Sequence, residues 1–469
     1  MLIQFTVENY LSFNEPVTFS MLASAADKQH LDHLQAYRYR KGKSLLPAAS
    51  IYGANGSGKS NLVKAMRFAK HLIMNGTRSG HSIPLSLFRL GSSDAKTSSF
   101  EFMFLYEDVE YSYGFKVTAE KVVEEYLFGK QRRDEIRYFE RELSGDGKSI
   151  FRFGPGMGVK SAKSRTGQFL SFVAEGTRPN QLFLSEAADR NVTALAPVLE
   201  WFRNVLLIID AESQSGEIER MVHTEEDFNA LLCSLLQSAG TGIAAISTRE
   251  EPFDLDLAFP GAPAEVKRQL RANLLDTAHS GAIIHTLNEG RQSIGIRNGE
   301  LVEIRMLPQH KAANGQLISF ELKDESDGTQ RLIHLAPALI NASRKPCVLV
   351  IDELDRRLHP LLSRLLISQT VASLVKAGNS QLIFTTHDTN LLDLSLLRRD
   401  EIWFIEKDSA GASQMCSLME YDIRPDLKVA RGYLNGRFGA VPYTGSIADL
   451  AWSAKPNKTA AGVGALDGD

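Results

Sequence analysis

The stretch Gly53-Ala54-Asn55-Gly56-Ser57-Gly58-Lys59-Ser60 decides the fold of this chain. It fits the pattern G-x-x-x-x-G-K-[ST], in which a glycine-rich loop joins a strand to a helix. Residues 48–52 before it have the apolar character of the end of a buried strand, and residues 61–66 after it read as the start of a helix. The sequence therefore predicts a phosphate-binding P-loop in a chain that binds a nucleoside triphosphate.

Each part of this loop is suited to holding a nucleotide. Glycines allow backbone N–H groups to turn inward around anionic oxygens, and the helix N-terminus adds partial positive charge. Lys59 is predicted to reach the β- and γ-phosphates, and the Ser60 hydroxyl to ligate Mg²⁺. We therefore assign nucleotide binding to Asn55, Gly56, Ser57, Gly58, Lys59, Ser60 and Asn61.

The composition is that of a soluble globular protein, with 43% hydrophobic and 23% charged residues. A net charge of −3 excludes a molecule that binds DNA through its overall charge, so contact with nucleic acid would need a local basic patch. Three distant cysteines form neither a disulfide framework nor a CxxC metal site. No secretory signal or membrane-length apolar run is present, and the cysteine usage favours a cytoplasmic location.

The sequence pattern divides the 469 residues into four parts. Residues 1–150 combine the P-loop with an expected antiparallel meander that turns at Glu107-Asp108. Residues 151–280 begin as a polar, basic connector and continue as a mostly helical insertion, with Leu195 to Leu206 at helical spacing. Residues 281–443 return to strands and carry further motifs, and the Gly/Ala-rich tail, 444–469, is predicted to be disordered.

A second motif is the apolar run Val348–Ile351 that ends in Asp352-Glu353. The run is typical of a buried parallel strand. Asp352, at its carboxyl end, is predicted to lie beside the P-loop and to hold Mg²⁺. Glu353, one residue further, is placed to orient the attacking water.

A third motif, Ser326-Asp327-Gly328-Thr329-Gln330-Arg331, precedes an apolar helix. A serine, a glycine and a helix N-terminus form a second end that can bind an anion. One nucleotide does not need two such cradles, so Ser326 and Gly328 are expected to serve a nucleotide held by another copy. The alternative is an ordinary capped helix in which Ser326 or Asp327 is the cap.

A fourth motif is the strand-like run from Gln381 that ends at His387. A histidine at a strand terminus beside the site can hydrogen-bond the γ-phosphate. The alternative is a structural histidine. The order of the four motifs favours the first interpretation.

In this order the motifs resemble the Walker A, signature, Walker B and H-switch motifs of the ABC class of P-loop ATPases. The long interval between Lys59 and Asp352 is similar to that of the RecF/SMC branch, whose two lobes are separated by an insertion. More closely, the chain resembles prokaryotic single-chain ATPases of two-gene phage-defence and abortive-infection systems, relatives of the ATPase half of the overcoming-lysogenisation-defect proteins. The stretches that carry this resemblance are Phe5–Phe13, Ile51–Asn61, Asp352–Asp355 with Leu358–Pro360, and Tyr433–Pro442.

The resemblance implies an α/β fold: an ABC-type ATPase head with a mixed sheet that carries the P-loop, an antiparallel β-subdomain and a mainly helical insertion. It implies an ATPase that uses ATP and Mg²⁺, with Lys59, Glu353 and His387 as catalytic residues and Ser60 and Asp352 as metal ligands. The implied partners are a second copy, in a homodimer or higher assembly that shares its ATP sites, and an effector such as a nuclease encoded nearby.

The chain also departs from the family pattern. The signature Leu-Ser-Gly-Gly-Gln is missing, and Asp327 stands at its first-glycine position. The Thr-Ser-Ala-Leu-Asp segment of transporters does not follow Glu353. No clear Q-loop glutamine can be assigned, and Gln181 is the candidate. These departures concern metal sensing and coupling, not the class.

Other functions are compatible with parts of the sequence. A RecF-type DNA-maintenance ATPase would bind duplex DNA through the basic segments 38–43 and 130–137. A self-contained nuclease would need a C-terminal Toprim domain, for which the chain after His387 is expected to be too short. A GTPase would need an Asn-Lys-x-Asp motif in the right place, and Lys455–Lys458 lies in the tail.

Overall fold

The computed structural model describes residues 1–37, 42–91, 96–131, 134–161, 163–211, 218–277, 282–286, 290–422 and 429–439, with only the backbone of 277, 282–286, 290 and 291. Several predictions fall outside these ranges: most of the basic segment 38–43, Arg132 and Arg133, the end of the Tyr433–Pro442 stretch, and the tail 444–469. DNA binding through the two basic segments therefore stays a hypothesis.

The elements of the described residues have the following bounds. The strands are β1 (Leu2–Glu8), β2 (Val17–Ser20), β3 (Gln35–Ala36), β4 (Ser44–Leu45), β5 (Ala48–Tyr52), β6 (Ser98–Tyr106), β7 (Val109–Val117), β8 (Val122–Gln131), β9 (Asp134–Leu143), β10 (Ser149–Phe153), β11 (Leu206–Ile209), β12 (Ile243–Pro252), β13 (Ala282–Thr286), β14 (Gly290–Arg297), β15 (Glu300–Lys311), β16 (Leu317–Ser319), β17 (Val348–Ile351), β18 (Gln381–Thr385), β19 (Ile402–Lys407) and β20 (Ser413–Ser417). The helices are α1 (Lys59–Asn75), α2 (Arg165–Gly176), α3 (Phe183–Asp189), α4 (Ala196–Glu200), α5 (Ile218–Thr224), α6 (Glu226–Ser238), α7 (Leu255–Ala258), α8 (Ala264–Thr277), α9 (Asp327–Ala342), α10 (Pro360–Ala377) and α11 (Val429–Leu434).

The P-loop follows β5 in a six-stranded mixed sheet with the order β11-β17-β18-β5-β19-β20. The first five strands are parallel, and β20 is antiparallel to β19. β5, β17 and β18 are buried along their whole length. Because parallel strands point the same way, the segments that follow these three strands meet at one edge of the sheet although they are distant in sequence.

Alternate residues of β17 face two separate cores. Val348 and Val350 pack in one core with α1 and the larger antiparallel sheet, whereas Leu349 and Ile351 pack in another with α9 and α10. A strand between two cores has no face for polar side chains, which is why its sequence is a continuous apolar run.

A seven-stranded antiparallel sheet, in the order β10-β9-β8-β7-β6-β1-β2, shares the first core with α1. β6 and β7 are joined by Glu107 and Asp108, whose φ angles of 46° and 57° suit a two-residue type I′ hairpin turn. The predicted meander and its turn are confirmed. The fold class, a mixed sheet with the P-loop beside an antiparallel subdomain, is confirmed as well.

The predicted insertion is mainly helical but contains strands that the prediction missed: the end of β10, where the connector was expected to begin, and β11 and β12. β11 pairs in parallel with β17 at the edge of the central sheet. β12 pairs with β15 in a five-stranded sheet that also contains β13, β14 and β16. The assignment of Leu206 to a helix is wrong: it begins β11, directly after the helical turns that end at Val205. Within the described ranges, no helix has the length and apolar character needed to span a membrane.

A fully buried ion pair joins the antiparallel sheet to α3. Arg141 Nη1 lies 3.7 Å from Glu125 Oε2 and donates to the carbonyl oxygen of Gln181 at 2.6 Å. Glu125 accepts from the backbone N–H groups of Phe183 and Leu184, at 2.6 and 3.0 Å. Burial raises the pKa of Glu125, and Arg141 and the two backbone donors oppose that shift. The negative charge of the Glu125 carboxylate is therefore balanced by an arginine of β9 and by backbone N–H groups of α3.

Arg141→Ala is expected to destabilise the fold, because it leaves the buried Glu125 carboxylate without its cation. Removing one partner of a buried pair costs about 3–5 kcal/mol. Urea unfolding followed by circular dichroism measures the free energy of unfolding. The control is Arg152→Ala, since Arg152 and Glu142 form a half-exposed pair at 3.0 Å, which contributes about 0.2–1 kcal/mol. Equal losses in the two variants would contradict this account.

Candidate nucleotide-binding site

The P-loop connects β5 to α1, as predicted. Gly56 and Gly58 have φ angles of 77° and 120°, which favour glycine. A Cβ at Gly53 would clash with the carbonyl oxygen of Ile405, so β19 sets a steric limit on the loop. The Ser57 hydroxyl is buried and has no hydrogen-bond partner among the described residues. A buried hydroxyl without a partner, beside a helix N-terminus, can donate a hydrogen bond to an anion bound in the loop.

Lys59 is the first residue of α1 and is buried. Its ammonium group donates to the carbonyl oxygens of Gly53 and Ala54, at 2.7 and 3.1 Å. Burial lowers the pKa of Lys59 to about 8, against the opposing effect of the Glu353 and Asp352 carboxylates. Lys59 is thus a desolvated cation at the loop, and phosphate oxygens are stronger acceptors for it than two carbonyl groups.

Asp352 links the P-loop helix to the neighbouring strands. Its Oδ1 atom accepts from the Ser60 hydroxyl at 3.1 Å and from the Thr385 hydroxyl at 2.6 Å. The Thr385 oxygen in turn accepts from the backbone N–H of Glu353 at 2.7 Å. Ser60 and Asp352 therefore present adjacent oxygen atoms, the donors that Mg²⁺ prefers. These two residues fit the predicted metal ligands.

Glu353 and His387 lie at the same edge, after β17 and β18. Glu353 has a φ of 47°, and its carboxylate lies 3.7 Å from Arg356 Nη1. Burial and the charge of Lys59 lower the pKa of His387, which favours its neutral form. The structure brings together five of the predicted residues, whose catalytic roles stay predictions: Lys59, Ser60, Asp352, Glu353 and His387.

Ser326 caps α9. Its hydroxyl accepts from a backbone N–H of the first turn at 3.2 Å, so the alternative of an N-cap is correct for this residue. A Cβ at Gly328 would lie 2.7 Å from the carbonyl oxygen of Arg357. Arg331 is buried and reaches the carbonyl oxygen of Asp352 at 3.5 Å. The start of α9 therefore packs against the segment after β17, and its contact with a nucleotide of another copy stays a prediction.

Two serines that sequence reasoning did not identify hold the P-loop. Ser413 Oγ lies 2.5 Å from the carbonyl oxygen of Ser57 and 2.7 Å from Ser12 Oγ. Ser12 Oγ accepts from the Asn61 side chain at 2.8 Å. The only sequence signal was for Ser12, which belongs to the Phe5–Phe13 stretch; nothing around Ser413 marks it.

Gln181 is not at the nucleotide site. It is buried next to Gly76, the residue that follows α1, whereas the P-loop precedes α1. A helix of 17 residues is about 25 Å long. The Q-loop assignment is therefore wrong, because Gln181 packs at the opposite end of the helix. Its apolar neighbours in sequence, Leu182 to Leu184, face the core at that end.

Comparison with known proteins identifies the family to which this chain belongs. A family model described as "AAA domain, putative AbiEii toxin, Type IV TA system" matches residues 48–393. Similar solved structures include an SMC head bound to the C-winged helix domain of ScpA, at 15% identity and a TM-score of 0.42, covering 89% of this chain and 97% of that chain. Another is the SMC head domain from Thermotoga maritima, at 15% identity and a TM-score of 0.33, covering 90% and 99%. No curated protein matches the chain.

ATP affinity is expected to fall as the pH rises above 8. Lys59 has a pKa of about 8 and loses its proton above that pH, whereas bound phosphates favour its charged form. Binding then requires proton uptake, so the affinity declines by up to about tenfold per pH unit. Titration with a fluorescent ATP analogue, near neutral pH and at a pH of about 9.5, measures the change.

Two variants of α1 control this measurement. Lys64→Ala removes an exposed lysine of the same helix and should keep the pH dependence. Lys59→Ala should bind weakly at every pH. Wild-type affinity that is equal at both pH values would argue against a titrating Lys59 in nucleotide binding.

Proposed function

The chain belongs to the family of AAA domains described for the AbiEii toxin of type IV toxin–antitoxin systems, and from that premise we propose that it is an ATP-driven switch. It binds ATP with Mg²⁺, hydrolyses it to ADP and phosphate, and closes into a dimer or higher assembly around the nucleotide. The closed form controls a partner effector, a nuclease, in anti-phage defence.

The observation that carries ATP hydrolysis is the hydrogen bond between Ser60 and Asp352, at 3.1 Å. This bond joins Ser60, which follows the P-loop residue Lys59, to Asp352, which follows the last residue of β17. Thr385 fixes the same carboxylate and the backbone of Glu353. Positioned oxygen donors and a neighbouring carboxylate are the parts that phosphoryl transfer requires.

The proposed reaction forms a bond between a water oxygen and the γ-phosphorus while the bond from that phosphorus to the β–γ bridging oxygen breaks. Glu353 orients the water and accepts its proton. Lys59 donates to the phosphate oxygens, and His387 donates an imidazole N–H to the γ-phosphate. Mg²⁺, held by Ser60 and Asp352, would neutralise charge on the phosphate oxygens.

Dimer closure is supported by the position of α9. Its N-terminus carries partial positive charge, and its first turn is accessible: the Asp327 side chain there is 68% exposed and its charge is paired with Arg357 at 3.6 Å. Gly328 and Arg331 pack on the segment that bears Asp352 and Glu353. A nucleotide from another copy at Ser326 would therefore act on the hydrolytic residues through direct packing.

A functional partner is supported by the family, whose description names a toxin–antitoxin system; control of an effector comes from the resemblance to two-gene phage-defence systems. Such a system has two components, so an ATPase in it has a functional partner. The chemical nature of the partner, a nuclease, comes from the resemblance to two-gene phage-defence systems. Purification from the native host tests both parts.

Glu353→Gln is expected to bind ATP normally, to hydrolyse it at least about 100-fold more slowly, and to accumulate the closed dimer. The amide keeps the shape of the side chain but cannot accept the proton. Phosphate release and light scattering with ATP measure the two effects, and Glu120→Gln, at an exposed turn position, is the control. Tagged Glu353→Gln should also retain the effector during purification. Wild-type turnover by this variant would refute the base assignment.

Two inactive variants are expected to restore activity when mixed, if each ATP site is shared between copies. Lys59→Ala removes the phosphate lysine, and Ser326→Asp keeps a good N-cap but adds negative charge where a second copy's nucleotide would lie. In a mixed dimer, one site combines an intact P-loop with an intact Ser326. We therefore expect up to about half of the wild-type rate from each mixed dimer, since one of its two sites is intact, and up to about a quarter from the equal mixture, in which about half of the dimers are mixed.

The control for the mixing experiment is Ser326→Asn, which keeps the cap without added charge and should remain active. Phosphate release is measured for each variant alone and for the equal mixture. A mixture no more active than its components would show that the sites are not shared.

A further inference from the structure

A cluster of metal-ligating side chains lies far from the P-loop in sequence, in the segment His30-Leu31-Asp32-His33. One ligand atom from each of His30, Asp32 and His33 lies within 4.8 Å of the other two. The two imidazole rings face each other with their centroids 4.9 Å apart. His30 has a φ of 41° and precedes the 3₁₀ turn Leu31–His33, which folds the three side chains toward one point.

The hydrogen bonds of the two rings fix their tautomers. His30 Nε2 lies 2.8 Å from the carbonyl oxygen of Leu394. His33 Nδ1 lies 2.9 and 3.0 Å from the two carboxylate oxygens of Glu401. Because a carbonyl and a carboxylate only accept, each of these nitrogens carries the proton. In the neutral form of each ring, His30 Nδ1 and His33 Nε2, which have no hydrogen-bond partner among the described residues, are left as lone-pair donors.

This arrangement is the one that supports metal-binding histidines. A ligating histidine donates its other ring N–H to a carboxylate or a backbone carbonyl, which orients the ring and makes it a stronger ligand. Glu401 is fully buried and His33 is 6% exposed, so the carboxylate that orients the His33 ring is held in place. Asp32 is exposed and can rotate toward the rings.

A buried arginine, Arg398, also holds the backbone of this segment. Arg398 is fully buried and donates to the carbonyl oxygens of Gln29 and His30 at 2.5 and 3.4 Å. Its guanidinium is held by Asp400 at 2.8 Å. The backbone that carries His30 is therefore fixed before any ligand binds, which lowers the entropic cost of binding.

We propose that His30, Asp32 and His33 form a Zn²⁺ site, with water at the fourth position. Two imidazole nitrogens and one carboxylate suit Zn²⁺ rather than Mg²⁺, which prefers oxygen alone. Tetrahedral ligands at about 2.0–2.1 Å from zinc lie roughly 3.4 Å apart, so ligand atoms that lie within 4.8 Å of one another move closer on binding. Through the two histidines, the ion links residues 30–33 to Leu394 and Glu401, which lie in the segment between β18 and β19.

The test measures metal bound by the full chain in millimolar Mg²⁺, which is added to compete with Zn²⁺ at the proposed Mg²⁺ ligands Ser60 and Asp352. Elemental analysis after dialysis against Zn²⁺ should find one equivalent of zinc. Co²⁺ in its place should give the intense visible absorption of a four-coordinate ion. His30→Asn and Asp32→Asn should each lose the equivalent, and Glu401→Gln should weaken binding about 10–100-fold.

The matched control is His81→Asn, at an exposed histidine whose ring lies 3.1 Å from the carbonyl oxygen of Ser79; it should bind zinc like the wild type. Thermal unfolding without metal should give the same Tm for His30→Asn and the wild type, and added Zn²⁺ should raise only the wild-type Tm. A wild-type chain that binds no zinc would overturn the site. So would His30→Asn and Asp32→Asn variants that bind as much zinc as the wild type, and His33 and Glu401 would then be a buried ion pair alone.

Discussion

A single carboxylate oxygen, Asp352 Oδ1, meets hydroxyl groups from two other elements, Ser60 at the start of α1 and Thr385 at the end of β18. Asp352 is 7% exposed, and burying a carboxylate is unfavourable unless it is hydrogen-bonded. The ends of β5, β17 and β18 are therefore held in one relative position. The placement of Lys59, Glu353 and His387 depends on this constraint, because each follows one of those strands.

The sequence predicted what is encoded locally. Residues 53–60 form a contiguous motif, so the P-loop and both of its flanks could be placed, and β17 could be recognised because burial on two faces requires a continuous apolar run. The family match over residues 48–393 confirms the relation to abortive-infection ATPases. The structure also gathers five of the predicted site residues at one sheet edge, although it does not test their roles.

Contacts that form when distant segments meet could not be predicted. Ser413 and Ser12 support the P-loop only because β20 returns to it. Gln181 has the polar character of a Q-loop residue but lies at the other end of α1. Gln381 looks out of place in a buried strand, yet its side chain bonds both backbone groups of Leu2, at 2.6 and 3.0 Å. In each case the partner is remote in sequence, and a local pattern contains no information about it.

The nucleotide site contains two groups that the fold alone leaves in an unfavourable state. Lys59 is buried so far that its pKa falls to about 8, and the buried Ser57 hydroxyl has no partner among the described residues. An anion at the loop satisfies both, because it restores a full charge partner and an acceptor. Part of the free energy of binding then stabilises the loop itself. The loop contacts β19 and β20 and, through Ser60 and Asp352, the segment on which α9 packs. A continuous set of contacts therefore joins the nucleotide site to the N-terminus of α9.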